Sequence, residues 1–271
     1  MASAPVQSRE ELERKVASAR WYHSLELPRG IVTPGEYDLR PALERVPFPI
    51  SLEGRRCLDV GTRDGFWAFE MERRGATAVL GIDLDDPAEL DWPEPRPPIG
   101  EEVRSDLEAR SRCFDIAASA LGSNVERRNL SVYDLSPETV GEFDFAFFGT
   151  LLLHLRDPIG ALMAVRDVTR GRLLLNEVIS LRMSITQRGP TAALMSLEDP
   201  FWWIPNAKAL RRYAEAAGWR VVRASRPYLL ANGAGAAPPP LGPGLRYGSR
   251  LARQLLLRAG APLMWLELEP R

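Results

Sequence analysis

The sequence is almost without lysine. Of 35 basic side chains only Lys15 and Lys208 are lysines, leaving 33 arginines (35 − 2). That bias reads first as coding-DNA base composition and second as heat tolerance. Cysteine is also scarce. Cys57 and Cys113 have neither the spacing of a disulfide framework nor that of a zinc site, and no metal centre is expected. No apolar run reaches membrane length, and the first twenty residues are charged, which excludes stable membrane insertion and a signal peptide and makes the cytoplasm the expected compartment. The formal net charge is −1, so bulk attraction to nucleic acid or an anionic membrane is absent. There are only two histidines, His23 and His154, which restricts any imidazole chemistry to those positions.

What is present is ordinary globular material: 271 residues, 45% hydrophobic and 26% charged, enough for one decorated domain. Residues 57–60 read as a short buried strand, 61–65 as a tight turn, 66–74 as a helix and 78–82 as a second buried strand. Further helices are expected at 104–121, 157–168 and 206–217, and strands at 124–132, 143–148, 172–179, 219–223 and 262–268. Strands alternating with helices at this spacing predict an α/β fold, a Rossmann-like doubly wound, mostly parallel sheet of seven strands. Ser8 and Glu11 begin a helix running to about Arg20, and 38–45 read as a second short helix. Residues 1–50 thus form an N-terminal helical segment, 51–230 the core, and 231–271 a proline-rich linker, an Arg-rich helix over 245–259 and a final antiparallel strand.

The glycine turn narrows the ligand. A dinucleotide fingerprint needs glycine at 61, 63 and 66, and the chain has Gly61, Arg63 and Phe66. Asp59, just before the turn, would repel a pyrophosphate but attract the α-ammonium of a methionine moiety. Asp83, ending the next strand, is placed to accept from a ribose diol. The expected cofactor is S-adenosyl-L-methionine (SAM).

The segment Asp59-Val-Gly61-Thr-Arg63-Asp-Gly65 resembles motif I of the class I SAM-dependent methyltransferases, with Arg63 replacing the middle glycine. Together with Trp21-Tyr-His23, Thr33-Pro-Gly35, Leu151-Leu-Leu-His154-Leu-Arg-Asp-Pro158 and Phe201-Trp-Trp-Ile-Pro205, it is similar to the bacterial tRNA wobble-uridine (carboxy)methyltransferase-like group over about residues 20 to 225. The resemblance implies the class I methyltransferase sheet with an N-terminal lid. In the carboxymethyltransferase a tyrosine precedes the motif histidine and holds the extra carboxylate of carboxy-SAM. Leu153 stands there and cannot, so ordinary SAM is expected.

The resemblance also implies the site. Asp59, Gly61 and Thr62 face the methionine end, Gly65 and Phe66 cover it, and Asp83 takes the ribose hydroxyls. Leu84 packs on adenine. Ser131 departs from the family's acidic adenine contact, leaving the Val132 amide and Tyr133 beside the ring. Gly149 admits the sulfonium. Candidates for base or acceptor-orienting roles are His154, His23 and Glu177; the alternatives are a loop-shaping His154, a His23 that merely lies near the site, and a solvated or Arg-paired Glu177. Trp21, and Phe201, Trp202 and Trp203 in a loop after the fifth strand, are candidate acceptor walls or, as readily, core residues. The Arg-rich helix is either an RNA or membrane contact or a solvated face.

Methyl transfer to a small molecule, a secondary metabolite or sugar-derived compound, is the first functional reading. A tRNA-modifying enzyme is the second and a non-catalytic SAM-binding protein the third. Neither the acceptor nor the oligomeric state is legible.

Overall fold

The computed structural model describes residues 8–195, 198, 200–230, 232–236 and 260–271. In chain order the elements are α1 (Arg9–Ala17), β1 (Glu26–Leu27), β2 (Ile31–Val32), β3 (Arg56–Val60), α2 (Phe66–Arg73), β4 (Ala78–Asp83), α3 (Glu101–Leu121), β5 (Glu126–Asn129), α4 (Pro137–Val140), β6 (Phe143–Gly149), α5 (Pro158–Asp167) and β7 (Thr169–Val178). They continue with α6 (Leu181–Thr186), β8 (Ala192–Leu194), β9 (Trp203–Pro205), α7 (Ala207–Ala216), β10 (Trp219–Ala224), β11 (Tyr228–Leu230) and β12 (Ala261–Pro270).

The main sheet has eight strands, its path running β10-β12-β7-β6-β3-β4-β5 with β11 added to β12. The pairs β3–β4, β3–β6, β4–β5 and β6–β7 are parallel, and β12 returns antiparallel between β7 and β10. This is the expected doubly wound sheet, with β11 as an addition. The order reverses between β3 and its neighbours β4 and β6, and a crevice opens there at the strand C-termini. Buried apolar runs form these central strands: Cys57 to Val60 and Phe145 to Phe148 are all sealed.

Two apolar layers cover the sheet. On one, Phe66, Trp67 and Met71 of α2 and Phe114 of α3 pack with Leu12, Val16, Trp21 and Leu25 of the N-terminal segment. On the other, Leu162 and Val165 of α5 pack with Leu210 and Ala214 of α7 against Leu173, Leu175 and Leu266. The N-terminal segment is therefore part of the core layer on the α2–α3 side.

Local differences from the sequence reading have physical causes. Ser8 accepts the Glu11 amide and starts α1, which ends at Ala17. Residues 38–45 tighten into a 3₁₀ turn, Arg40–Glu44, with Pro41 at its start. Acidic Glu101 and Glu102 extend α3 toward its N-terminus, where their charge favours the helix dipole. The stretch around Trp203, expected as a loop, supplies β9 of a small antiparallel pair with β8. Residues 245–259 lie outside the described residues.

Candidate functional site

The turn after β3 is held by three left-handed residues, Gly61 (φ +78°), Arg63 (φ +47°) and Gly65 (φ +91°). A Cβ on Gly65 would sit 2.4 Å from the Phe69 ring, so glycine is required both by conformation and by packing. Arg63 takes the left-handed conformation despite its side chain, and its surroundings explain how. Its amide donates to Asp83 Oδ2 (2.7 Å), its guanidinium stacks on the Tyr22 ring (3.6 Å), and Nη2 pairs with Asp106 Oδ1 (2.9 Å). Asp83 Oδ1 also accepts from Leu84 N (2.8 Å) and from Arg110 Nη1 (3.0 Å), and Arg110 in turn pairs with Asp106. The Asp83 end of the crevice is thus a closed network of two arginines and two carboxylates.

Asp64 anchors the N-terminal segment to this turn. Its Oδ2 accepts from the amides of Tyr22 (2.9 Å) and His23 (2.7 Å), and its Oδ1 contacts His23 Nδ1. Burial works against the charge, but the His23 ring and amide hold the Asp64 carboxyl below its ordinary range. A carboxylate oxygen only accepts, so His23 Nδ1 carries a proton, and Nε2 is the ring nitrogen left to exchange one.

The Asp59 end is different. Asp59 is buried and its Oδ2 has no donor. Burial pushes its carboxyl up to about 7. An orphaned buried acceptor of this kind fits a ligand ammonium, which would supply the missing donor. Gly149 ends β6, and Thr150 after it adopts φ +50°, a second strained non-glycine residue on the crevice. His154 Nδ1 lies 2.9 Å from the Pro200 carbonyl, and its ring meets Phe201 edge-on. Burial lowers the His154 pKa to about 4, so the ring is neutral, donates from Nδ1 and can only accept at Nε2.

One cavity of about 600 Å³ joins these groups, within the range of small-ligand sites. His23, His154, Asp59, Gly61, Asp83, Leu84, Ser131, Val132, Tyr133 and Gly149 all line it. Seven sequence candidates do not. Thr62 and Gly65 pack inward, against Gly81 and Phe69, and Phe66 packs on Trp67. The three tryptophans give their indole N–H groups to backbone carbonyls: Trp21 to Val16, Trp202 to Asp91 and Trp203 to Arg156. Glu177 is likewise off the cavity, buried with neither carboxylate oxygen bonded, and burial pushes it up to about 8. Phe201, the remaining wall candidate, does line the cavity, and the structure adds Tyr22, Tyr37, Arg63, Arg110 and Asn176. Of these additions, Tyr22 and Arg63 sit inside the motifs named above, whereas Asn176 carried no sequence signal.

Comparison with known proteins gives a concordant result. The model of a family described as "Methyltransferase domain" matches residues 34–224. A "tRNA U34 carboxymethyltransferase" of Azotobacter vinelandii is 29% identical over 188 residues, covering 66% of this chain and 50% of that protein. The chain spans about half the length of the curated relatives it matches. Among solved structures, the N-terminal domain of EvdMO1, crystallised in the presence of SAH and D-fucose, aligns with TM-score 0.57 and 17% identity over 100% of both chains. The 1,6-didemethyltoxoflavin-N1-methyltransferase of Burkholderia thailandensis aligns with TM-score 0.52 and 14% identity, covering 86% of this chain and 77% of that one. These two share the fold. With the family model spanning most of the sheet and the glycine turn, the chain belongs to the methyltransferase domain family, as a class I enzyme that uses SAM.

Proposed function

We propose that this enzyme methylates a hydroxyl of a small molecule, with His23 as the base. The observation that carries this reading is the cover over the cavity. Tyr22, His23, Tyr37 and Leu39 line it from the N-terminal side, and Asp64 fastens that segment to the cofactor turn. The segment that carries these residues acts as a lid that excludes water and limits the acceptor's size.

When bound, SAM supplies an electrophilic methyl group on a sulfonium. Asp59 takes its ammonium, Asp83 the ribose hydroxyls, and the Val132 amide with Leu84 and Tyr133 the adenine. Thr62, Gly65 and Phe66 shape the turn from behind. His23 Nε2 would accept the proton of the acceptor hydroxyl as the methyl passes from sulfur to oxygen, the S–C bond breaking as the C–O bond forms and S-adenosylhomocysteine leaving, and Asp64 would stabilise the resulting imidazolium, the role a buried carboxylate plays behind a catalytic histidine. His154, which holds a proton poorly, accepts a hydrogen bond and orients the acceptor. Glu177 takes no part, being off the cavity. Trp21, Trp202 and Trp203 support the walls from outside.

Ordinary SAM is favoured over carboxy-SAM because every arginine on the cavity already has an acidic partner: Arg20 with Glu36, Arg63 with Asp106, and Arg110 with Asp83 and Asp106. The apolar Leu153 is also on the wall.

Modification of tRNA is the second reading, favoured by the curated relatives. The test offers SAM with either unmodified tRNA or a panel of hydroxylated small molecules, reading S-adenosylhomocysteine release. Release with small molecules alone supports the proposal; release with tRNA alone establishes the second reading. His23→Ala should slow turnover by about 10²–10⁴-fold with cofactor affinity retained. Unchanged turnover would place the base elsewhere.

A further inference from the structure

Asn176 is 2% exposed, lies at the C-terminal end of β7, and is paired in register with Gly149 of β6 and Trp265 of β12. Its backbone carbonyl accepts the Thr150 amide (2.9 Å), which fixes it beside the sulfonium-facing end of β6. The Tyr228 hydroxyl donates to its side-chain Oδ1 (2.7 Å), and burial keeps that phenol protonated. This bond sets the orientation of the amide. The Nδ2 group makes no hydrogen bond to the described residues and belongs to a side chain that lines the cavity. An oriented donor on a cavity wall, without an acceptor among the described residues, is open to a ligand oxygen.

The walls around it are apolar and aromatic. Trp67 stacks on Phe147 (4.1 Å, 27°), and Leu39, Val178, Leu230 and Leu263 complete the surface. Such walls suit a flat apolar body better than a phosphodiester.

We propose that Asn176, held by Tyr228, determines acceptor specificity by donating to an uncharged carbonyl oxygen of a flat apolar acceptor, next to the hydroxyl that is methylated. This rests on the small-molecule reading above and names the substrate class for it. Asn176 binds the acceptor, and Tyr228 acts through it as a positioning residue. A site built around a polar partner discriminates strongly against an analogue that lacks it, because its buried donor is then left unpaired.

The experiment uses the full chain saturated with S-adenosylhomocysteine and two probes of one skeleton, 2-hydroxyacetophenone and 2-ethylphenol, titrated by calorimetry. Wild type should bind the ketone about tenfold or more tightly than the ethyl compound. Asn176→Ala should erase that preference through loss of ketone affinity. Tyr228→Phe should reduce it partly, since the amide is then free to turn. Asn176→Asp, of equal size and acceptor-only, should bind the ketone worse than Asn176→Ala does. Affinity for S-adenosylhomocysteine reports in each variant that the fold is intact.

Equal binding of the two probes by wild type, binding of neither, or a preference that survives Asn176→Ala would overturn the subsite while leaving methyl transfer standing. Failure of wild type to bind S-adenosylhomocysteine at all would overturn the methyl-transfer reading and this one with it.

Discussion

The two ends of the cavity are built on opposite electrostatic terms. At the Asp83 end, Asp83 and Asp106 are matched by Arg63 and Arg110, and Asp83 accepts from two backbone amides besides. At the Asp59 end, Asp59 Oδ2 lacks a donor, and the Asn176 Nδ2 group has no acceptor among the described residues. The paired end is held in place by its own ion pairs and hydrogen bonds. The unpaired end carries the desolvation cost of Asp59, which a ligand donor would relieve.

The comparison is broken most severely by cutting the tie between the ends. Asp64→Ala leaves two amides and a buried imidazole without their acceptor. A drop in unfolding free energy of about 3–5 kcal/mol is expected, the range for removing one partner of a buried pair, read from urea titration. The Asp64 pKa is depressed in the folded state, so its contribution is present above the ordinary value of 3.8 and fades as pH falls through the lower folded value. A loss well under 1 kcal/mol would show that the lid is held by its apolar contacts alone.

Asp83→Ala opens the paired end. Affinity for S-adenosylhomocysteine should fall roughly tenfold or more, from losing about 1.5–3 kcal/mol of charge-assisted hydrogen bonding. Calorimetry checks it, and unchanged affinity in a folded variant would put the ribose elsewhere.

The smallest effect is expected from Arg63→Gly. Glycine relieves a left-handed strain of about 1–2 kcal/mol but forfeits the Tyr22 stack and the Asp106 pair, so the net change in stability should be within about 1 kcal/mol. A larger destabilisation in urea would mean that the arginine network, more than the backbone turn, holds the ribose end together.

The paired end was the more legible in sequence, because its parts are local. Buried strands with a glycine turn between them announce themselves by composition, and Gly61 and Asp83 follow from that strand–turn–helix–strand unit. The arginine network was visible only as a departure, Arg63 in place of glycine. The lid anchor was not legible: Asp64 sits at a variable motif position, and its partners Tyr22 and His23 are more than forty residues away. Asn176 was equally silent, since a single polar residue in an apolar run gains meaning only when β11 brings Tyr228 against it. The tryptophans misdirect for the reverse reason. Large aromatics suggest a binding wall, but each indole here is committed to a backbone carbonyl.

The contrast between the ends is tested most directly at Asp59. Burial raises its pKa to about 7, so the folded apoprotein keeps a proton that the unfolded chain releases near 3.8. Between those values stability therefore falls as pH rises, and Asp59→Asn should be the more stable apoprotein at pH 8. An ammonium beside the carboxylate favours its ionised form, which makes binding stronger where that form is already populated. The decisive measurement is calorimetric titration of S-adenosylhomocysteine at pH 6 and pH 8 with wild type and Asp59→Asn. Wild-type affinity should rise about tenfold between the two, and the Asn variant should be weaker and nearly flat. The same pH dependence in both proteins would contradict the assignment of Asp59 as the ammonium seat.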